Sequence, residues 1–291
     1  MKYEAIYAAQ ACGREFSVRK MCEALGLRAE NYYRWRRHRR EKAEREEKER
    51  ETVAQIRRVF IENKRTYGYR KMRRAMEQQG IELSEYRIRL LMRKNGLYPV
   101  CMRKYRPGRS LVVRVPYVTD ELKQNFAARE AGKILTGDIT YIRTNIGWAY
   151  LAVVIDLYNR EVIGYSVSQS MDSELVKRAL GNAIARRGGL SGAIFHSDRG
   201  VQYSSESYRR MLQENGIKQS MSRAGCPYDN ACSESFFATA KKECIFLKSY
   251  ATMNEVKADI FAYIELFYNR KRMHSSLGYM SPVEYRLAHS A

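Results

Sequence analysis

Three acidic residues are the side chains of this sequence best suited to chemistry, because each is predicted to lie on or beside a strand or at a helix start. Asp138 lies within the β-rich segment KILTGDITYIR, Asp198 follows a short β-rich segment in IFHSDRG, and Glu234 is in the first turn of a predicted helix. Taken singly, they could be a strand-edge charge, a turn residue and a helix N-terminal acid. If the first and fourth predicted strands are neighbours, the three carboxylates converge. They would then supply hard oxygen ligands to two Mg²⁺ or Mn²⁺ ions, which can activate an attacking oxygen and stabilise the leaving oxygen in phosphodiester chemistry.

The spacing of these carboxylates strengthens that interpretation. There are 59 residues between Asp138 and Asp198 and 35 between Asp198 and Glu234. Lys241 follows Glu234 by seven positions, nearly two helical turns, so it shares a helix face with Glu234 and is predicted to hold a DNA phosphate beside the metal ions. Asp156 also stands near a strand end, but it precedes the turn LYNRE and is interpreted as structural.

The histidines and cysteines indicate no second site. The six cysteines form no C-x-x-C pair and the four histidines no H-x₃₋₅-H pair, so neither a zinc site nor a disulfide framework is indicated. His196 and His274 are interpreted as packing or hydrogen-bonding residues, and His274 as one that could also approach DNA.

The segments around the carboxylates predict a mixed α/β domain. Three β-rich segments form a predicted meander, and helices and strands then alternate. The predicted strands are 133–143, 148–155, 162–168, 193–196 and 217–221, and the predicted helices are 173–187, 205–215 and 231–244. The resulting order, β-β-β-α-β-α-β-α, is typical of a mixed sheet covered by helices.

The N-terminal part is predicted to be helical and to bind DNA. Residues 16–37 resemble a helix-turn-helix, with Ser17 as N-cap and Gly26 at the turn, although a plain helical hairpin is an alternative. Residues 36–51 are almost wholly charged and predict a solvated connecting helix. A second helical unit follows, and then a proline-containing basic segment that could lie along phosphates. The predicted DNA-contacting residues of these parts are Arg34, Arg36, Arg37, Arg70, Lys71, Arg103, Lys104 and Arg106.

Charge agrees with this division of the chain. The 291 residues carry a formal net charge of +21, of which +16 lies in residues 1–120 and +5 in residues 121–291. A basic half joined to a nearly balanced half indicates a module that holds a polyanion, most often nucleic acid. The longest apolar stretch is too short to span a membrane and contains Asp156, and no secretory signal is indicated. The protein is therefore expected in the cytoplasm.

Several strings in fixed order resemble a known family. They are YGYRKMRRAM…LMRKNGL, TGDITYI, FHSDRGVQYSS, GCPYDNACSESFFATAKKE and YNRKRMHSSLGYMSPVEY. Together they resemble the second-frame (OrfB) transposases of the insertion-sequence-three family, within the retroviral integrase superfamily, over residues 16 to 286. The resemblance implies a ribonuclease-H-like α/β core with a D,D-35-E triad. In this chain Asp138, Asp198 and Glu234 match the triad, and Lys241 matches a basic residue that contacts DNA near the cut.

The resemblance also gives the domain plan. It implies a helix-turn-helix with its charged connecting helix at 1–52, a second helical unit at 53–97, a basic linker at 98–130, and the catalytic core with a helical tail at 131–291. Asp229 and Asn230 belong to a matching string, and their residue types predict that they cap the helix that carries Glu234.

The implied function is transposition. Water activated at two metal ions would cut a strand at the element end, and the exposed 3′-OH would attack another phosphodiester. Relatives are understood to join one end to the other first, which gives a circular intermediate. The expected partners are element-end and target double-stranded DNA and further copies of the chain on that DNA. A first-frame product, fused or separate, is also expected, because such products supply a leucine zipper and no sustained heptad run is visible here.

Two other functions remain open from the sequence. One is a DNA-binding regulator or inhibitor derived from such an element, and the other is a ribonuclease-H-type hydrolase acting on hybrids. The acidic triad argues against a pure binder, which gains nothing from three carboxylates beside phosphate. The N-terminal helical units and the D,D-35-E spacing argue against the hydrolase.

Overall fold

The computed structural model describes residues 2–13, 16–100, 128, 130–222 and 231–289. The strands are β1 Ile134–Thr144, β2 Gly147–Asp156, β3 Val162–Ser168, β4 Ile194–Ser197 and β5 Lys218–Met221. The helices are α1 Lys2–Ala11, α2 Val18–Ala24, α3 Ala29–Glu62, α4 Tyr69–Glu77, α5 Glu85–Lys94, α6 Ser173–Arg187, α7 Val201–Ser204, α8 Glu206–Glu214, α9 Ala231–Glu243, α10 Met253–Phe261 and α11 Pro282–Ala288. Helix α10 continues as a π-helix over Ala262–Tyr268. Short 3₁₀ turns span Ile245–Leu247 and Ser275–Leu277.

A five-stranded mixed sheet forms the centre of the α/β domain. Its strand order is β3-β2-β1-β4-β5, with β1, β2 and β3 antiparallel and with β4 parallel to both β1 and β5. The predicted order of strands and helices is confirmed, apart from the additional short helix α7. The first and fourth strands are neighbours, which was the condition for bringing two of the carboxylates together.

Each face of the sheet has its own apolar core. On one face, Leu135 and Phe195 pack with α6 and α8. On the other, Ile142 and Leu151 pack with α9 and α10, where Phe236 is a central residue. Alternate residues of a strand point to opposite faces, so Leu135 of β1 faces the first core and Ile142 faces the second.

Two glycines allow close approach at the sheet. A Cβ atom at Gly137 would clash with the ring of Phe195 on the neighbouring strand, and a Cβ at Gly164 would clash with the backbone of α6 at Ala179 and Ala183. The glycine beside Asp138 is therefore needed for the β1–β4 pairing. That pairing sets the position of the carboxylate.

The N-terminal units share one helix. The predicted cap of α2 is confirmed, since the Lys20 amide donates to Ser17 Oγ at 3.4 Å, and Gly26 adopts φ +64° at the turn. Helix α3 then runs without a break through 34 residues. The separate connecting helix predicted for 36–51 is therefore the middle of α3, and the expected boundary at residue 52 lies inside this helix.

The first apolar cluster uses aromatic residues that the sequence associated with DNA. Tyr32 is completely buried, and it packs with Ile6, Val18 and Cys22 while Trp35 lies against the same cluster. Helix α1, which supplies Ile6, was not predicted. These aromatic side chains stabilise the three-helix cluster, because burying large rings is among the strongest contributions to a small core.

The second helical unit packs against the C-terminal part of the chain. Helices α4 and α5 bury Met72 and Ile88 against the end of α3, and Met273 joins this cluster from the C-terminal segment. The buried Tyr67 hydroxyl donates to the Lys271 carbonyl oxygen at 2.8 Å and accepts from the Met273 amide at 3.1 Å. The second unit is thus attached to the catalytic domain by a shared core and by buried hydrogen bonds.

Among the described residues, none of the helices combines the length and the apolar character needed to cross a bilayer.

Candidate active site

The β1–β4 register brings the two aspartates together. The last paired position in this parallel ladder is Gly137 with Ser197. Asp138 follows Gly137 and Asp198 follows Ser197, so the two aspartates lie side by side directly after the last paired residues of β1 and β4. Neighbouring strands lie about 4.8 Å apart, which places the two carboxylates within reach of a shared ligand.

Helix α9 brings Glu234 to the same face of the sheet. Thr136 and Asp138 share the face of β1 that also carries Ile142, and this face packs against α9. The hydroxyls of Thr136 and Ser233 are hydrogen bonded at 3.1 Å in a buried position. Glu234 follows Ser233 and is exposed at the edge of the helix. The buried hydroxyl pair therefore fixes the helix turn that presents Glu234.

The pKa of Asp138 depends on the other charged side chains of the site. Burial, together with the charges of Asp198 and Glu234, raises the pKa of Asp138 to about 7, although a hydrogen bond from the Ile139 amide and the charge of Lys241 act in the opposite direction. The Ile139 amide donates to Asp138 Oδ1 at 2.7 Å. Asp138 is thus a carboxyl group surrounded by more negative than positive charge.

Asp198 lies at the rim of the same site. The protein around its carboxylate removes water and raises the pKa of Asp198, although the Gly200 amide, which donates to Asp198 Oδ1 at 3.0 Å, lowers it in part. A carboxylate that is costly to ionise is one that gains from a cation.

Lys241 is the cation of this site. Its side chain is buried, with 9% of the residue exposed, and its ammonium group lies 4.9 Å from the centre of the Tyr141 ring. Burial lowers the pKa of Lys241, while the charge of Asp138 raises it. The predicted proximity of Lys241 to the carboxylates is supported by this mutual effect, but the side chain is more enclosed than a surface contact to DNA would be.

The donor chemistry of the site fits a divalent cation. Carboxylate oxygens are the ligands preferred by Mg²⁺ and Mn²⁺, and burial together with two neighbouring carboxylates raises the pKa of Asp138. In the part of the chain that the structure describes, no three His, Cys, Asp or Glu side chains are already arranged as a ligand set. The charge of the exposed Glu234 affects Asp138 without direct contact. Binding of one metal ion by all three carboxylates would therefore require their side chains to move.

Asp156 has the structural role predicted from its position. Its carboxylate accepts from the Gly132 amide at 2.8 Å, the Tyr158 amide at 3.1 Å and Arg187 at 3.0 Å. Arg187 also donates to Glu161 at 2.8 Å, and Glu161 accepts from Arg286 at 3.0 Å as well. This ionic cluster ties the β2–β3 turn to the ends of α6 and α11.

The two histidines interpreted as structural are also accounted for. His196 is fully buried, and its two ring nitrogens are hydrogen bonded to the hydroxyls of Ser220 at 2.9 Å and Ser222 at 3.3 Å. Burial and nearby cations lower the pKa of His274 to about 3, so this ring is neutral at physiological pH. It accepts a hydrogen bond from Arg272 at 3.4 Å.

The predicted DNA contacts fall into three groups. Arg34, Arg36 and Arg37 on α3 and Arg70 on α4 are exposed. Lys71 is half-buried where the second helical unit meets the catalytic domain. The remaining predicted residues lie outside the described residues, namely the basic contacts Arg103, Lys104 and Arg106 and the capping residues Asp229 and Asn230.

Sequence reasoning missed two cations near the site. Arg160 occupies the turn LYNRE with φ +62°, a left-handed conformation rare for arginine, and it donates to Cys232 Sγ on α9. Arg272 forms a paired contact with Glu243 at 2.8 and 2.9 Å. No local signal in LYNRE indicates the left-handed residue, whereas Arg272 stands in the string YNRKRMHSSLGYMSPVEY and could have been singled out there.

Family models match most of the described chain. Models described as integrase core domain match residues 128–227 and residues 215–282. A model described as an HTH-like domain matches residues 46–105, which includes the end of α3 with α4 and α5.

Relatives match along nearly the whole length. "Transposase InsF for insertion sequence IS3A" of Escherichia coli (strain K12) is 37% identical over 285 residues, which cover 98% of both chains. "Transposase InsF for insertion sequence IS3fB" of the same strain is 36% identical over 285 residues with the same coverage. The "Insertion element IS600 uncharacterized 31 kDa protein" of Shigella sonnei is 35% identical over 266 residues, 91% of this chain and 97% of that protein.

Solved structures match at lower similarity. A simian T-cell lymphotropic virus intasome in complex with PP2A regulatory subunit B56 gamma matches with 14% identity and a TM-score of 0.45, over 75% of this chain and 71% of that chain. The HTLV-2 integrase catalytic core domain in complex with magnesium matches with 16% identity and a TM-score of 0.38, over 54% of this chain and 97% of that chain.

Proposed function

Because the chain belongs to the transposases of the insertion sequence IS3 family and has an integrase core domain, we propose that it cuts the ends of a mobile DNA element and transfers the new 3′-hydroxyl ends to other DNA at Asp138, Asp198 and Glu234. The charge balance of the site carries the proposal. Burial and two other carboxylates raise the pKa of Asp138 to about 7. A group of like charges in this state gains most from a divalent cation.

The three carboxylates are the proposed ligands of two Mg²⁺ or Mn²⁺ ions. Bound there, such ions supply activation of the attacking oxygen and stabilisation of the leaving oxygen in phosphodiester chemistry. Asp138 and Asp198 contribute from the sheet, and Glu234 contributes from α9. The buried hydrogen bond between Thr136 and Ser233 keeps the helix in register with the sheet.

Lys241 contributes the positive charge that the chain itself provides. Burial and the Tyr141 ring hold its ammonium group near Asp138. A phosphate at the carboxylates carries charge on its non-bridging oxygens, and Lys241 would neutralise part of it. Because Lys241 is enclosed, its side chain would need little rearrangement when the phosphate binds.

One site is sufficient for both reactions. In cleavage, a water oxygen forms the new bond to phosphorus, and the bond from phosphorus to the 3′ oxygen breaks. In strand transfer, the freed 3′-hydroxyl forms the new bond, and the corresponding bond of the other DNA breaks. Both are in-line displacements at phosphorus, so the same residues serve both steps.

The DNA partners are proposed from the helical units. Exposed arginines on α3 and α4, with the basic residues predicted for 98–130, would bind element ends through phosphates. Multimerisation on these ends is assigned to further copies of the chain and to a first-frame product, since the sequence has no sustained heptad run of its own. The protein would therefore act on the chromosome, in the nucleoid. Regulation without cleavage is not favoured, because three carboxylates beside phosphate weaken a pure binder.

Cleavage of a labelled element end tests the assignment. The full chain with Mg²⁺ or Mn²⁺ is expected to cut the duplex, and Asp138→Asn and Glu234→Gln are expected to abolish the cut. Arg210→Gln is the control, because Arg210 is exposed on α8 at the opposite face of the sheet and forms an ion pair with Glu206 on the same helix. Cutting by either triad variant at the parent rate would show that the assignment is wrong.

A further inference from the structure

A second concave surface lies on the other side of α9. A cavity of about 410 Å³ opens between the second helical unit, the β2–β3 turn, α9 and the C-terminal segment. Its lining includes the cationic side chains of Lys71, Arg160 and Arg272, the hydroxyls of Ser235 and Thr239, and His274. None of the described residues that line this cavity is acidic.

Cations from three separate parts of the chain converge on the cavity. Lys71 comes from α4, Arg160 from the β2–β3 turn and Arg272 from the C-terminal segment. Glu243 balances Arg272 through its paired contact. Lys71 and Arg160 add two further cations to a lining that has no acidic side chain among the described residues.

The cations of the cavity also affect the protonation of His274. Burial, together with the charges of Arg272, Lys71 and Arg160, lowers the pKa of His274 to about 3. Arginine can only donate, so His274 Nε2 accepts the hydrogen bond from Arg272, and the neutral ring carries its proton on Nδ1. The cavity thus combines cations with neutral hydrogen-bond donors, which is the chemistry that recognises a phosphate.

The backbone conformation of Arg160 supports a functional role for the cavity. Its left-handed conformation is one that the surrounding structure must enforce, and strained residues concentrate at functional positions. The Arg160 guanidinium reaches Cys232 on α9, so this strained turn is tied to the helix that also carries Glu234.

The cavity and the carboxylates occupy different flanks of one helix. At about 100° per residue, Ser235 and Thr239 lie roughly 100–160° around α9 from Glu234 and Lys241. A helix with side chains is about 10–12 Å across. Phosphates bound on the two flanks would therefore lie about 10–12 Å apart, which is within a few nucleotides of one strand.

We propose that this cavity binds one backbone phosphate of the DNA strand that crosses α9, within a few nucleotides of the phosphate at the carboxylates. The proposal rests on the proposed function, because it places the same DNA on α9. It adds a contact made jointly by the second helical unit and the catalytic domain. Bound DNA would therefore join the two units through one phosphate.

Salt-dependent DNA binding by the metal-free full chain gives the first test. The probe is a labelled duplex that carries the element's own end. Arg160→Gln and Lys71→Gln are each expected to weaken binding and to reduce the slope of log affinity against log salt by about 1. Arg210→Gln, a matched loss of charge on the opposite face, is expected to leave both unchanged. Unchanged slopes in both cavity variants would overturn the proposal.

Removing single phosphate charges locates the contact. A methylphosphonate is placed at successive positions of the duplex, and one position near the cut is expected to weaken binding by the parent but not by Arg160→Gln. Lys71→Gln, on another element, should show the same coupling if Arg160→Gln does not fold. If no position couples to either variant, the proposal is wrong, and binding of inorganic phosphate that these variants abolish would then identify a site for a free anion.

The outcome is separable from that of the proposed function. These binding measurements contain no metal, and Asp138→Asn is expected to show the same coupled phosphate as the parent. If Asp138→Asn cut DNA normally, the triad assignment would fail while the phosphate contact remained.

Discussion

Two groups of acidic side chains lie on opposite faces of the same sheet, and they differ in how their charge is balanced. Asp156 and Glu161 form the first group, in which Arg187 donates to both carboxylates and Arg286 donates to Glu161. Asp138 belongs to the second, where two neighbouring carboxylates and one lysine surround it. Burial raises the pKa of both aspartates.

The difference separates a structural carboxylate from the one that we propose holds a metal ion. Protein donors and arginines satisfy Asp156, so the fold is complete around it. Asp138 accepts from the Ile139 amide and has two carboxylates and one lysine as charged neighbours, and we propose that a metal cation supplies the further positive charge. Burial alone does not distinguish the two groups, whereas the balance of charge does.

Exchanging one oxygen for nitrogen in each group gives the largest predicted contrast. Asp138→Asn is expected to lower the rate of end cleavage by about a thousandfold or more, which corresponds to the several kcal/mol that metal ions contribute to such a step. Asp156→Asn is expected to retain the parent rate per folded molecule. Single-turnover cleavage, normalised to the folded fraction, measures both. Equal losses in the two variants would remove the distinction.

Removing the balancing cation should unfold the structural group. Arg187→Met leaves Asp156 and Glu161 buried beside each other and is expected to cost about 3–5 kcal/mol of unfolding free energy. Urea denaturation of metal-free protein measures this cost. Arg210→Met is the matched control, because it breaks an exposed pair with Glu206 that contributes about 1 kcal/mol or less. A similar small cost for both variants would contradict the proposed role of Arg187.

The unbalanced group should make stability depend on pH and metal. An aspartate in the unfolded chain titrates near about 3.9, and the pKa of folded Asp138 is raised to about 7. Between these values the folded protein keeps a proton that the unfolded chain releases. The Asp138 contribution therefore makes metal-free protein less stable as pH rises from about 4 to about 7, and this contribution is constant above that range.

Thermal unfolding in chelator across this range measures the effect. Asp138→Asn is expected to remove this part of the pH dependence. At pH 8, Mg²⁺ or Mn²⁺ at about 100 times its Kd is expected to stabilise the parent by about 2.7 kcal/mol and to stabilise Asp138→Asn much less. An identical pH profile and metal response in the variant would place the unbalanced charge elsewhere.

The smallest predicted effect concerns the attachment of α9. Ser233→Ala removes the buried contact with Thr136 and is expected to cost about 1 kcal/mol of stability. Because Ser233 precedes Glu234, cleavage should fall by more than this loss of stability explains. Comparing the rate per folded molecule with that of Ser281→Ala, which removes a buried hydroxyl contact at the start of α11, isolates the positioning effect. Equal rates in the two variants would assign Ser233 to stability alone.

Sequence patterns predicted the catalytic domain well where the signal was local. Alternation and strand-forming residues gave the five strands, and the order of elements placed Asp138, Asp198 and Glu234 on three of them or beside them. The adjacency of β1 and β4 entered only as a condition, because strand neighbours are set by packing across the sheet rather than by local preference. The register ending at Gly137 and Ser197 supplied the missing step.

Other features were beyond local pattern or were overlooked. The partnership of Arg187 with Asp156 joins residues 31 positions apart, and that of Arg160 with Cys232 joins residues 72 positions apart, so neither follows from spacing. The continuity of α3 could have been predicted, because no glycine or proline interrupts residues 29–62. Its change from an aromatic to a charged composition instead suggested separate elements.

Helix α3 also sets the distance between the apolar clusters of the two N-terminal helical units. Tyr32 and Ile56, each completely buried in a different apolar cluster, stand 24 residues apart on this one helix. At about 1.5 Å per residue, the two positions are separated by about 36 Å along the helix axis. One turn of B-form DNA is about 34–36 Å long. A duplex lying parallel to α3 would therefore present the same groove twice along that span, once at each helical unit.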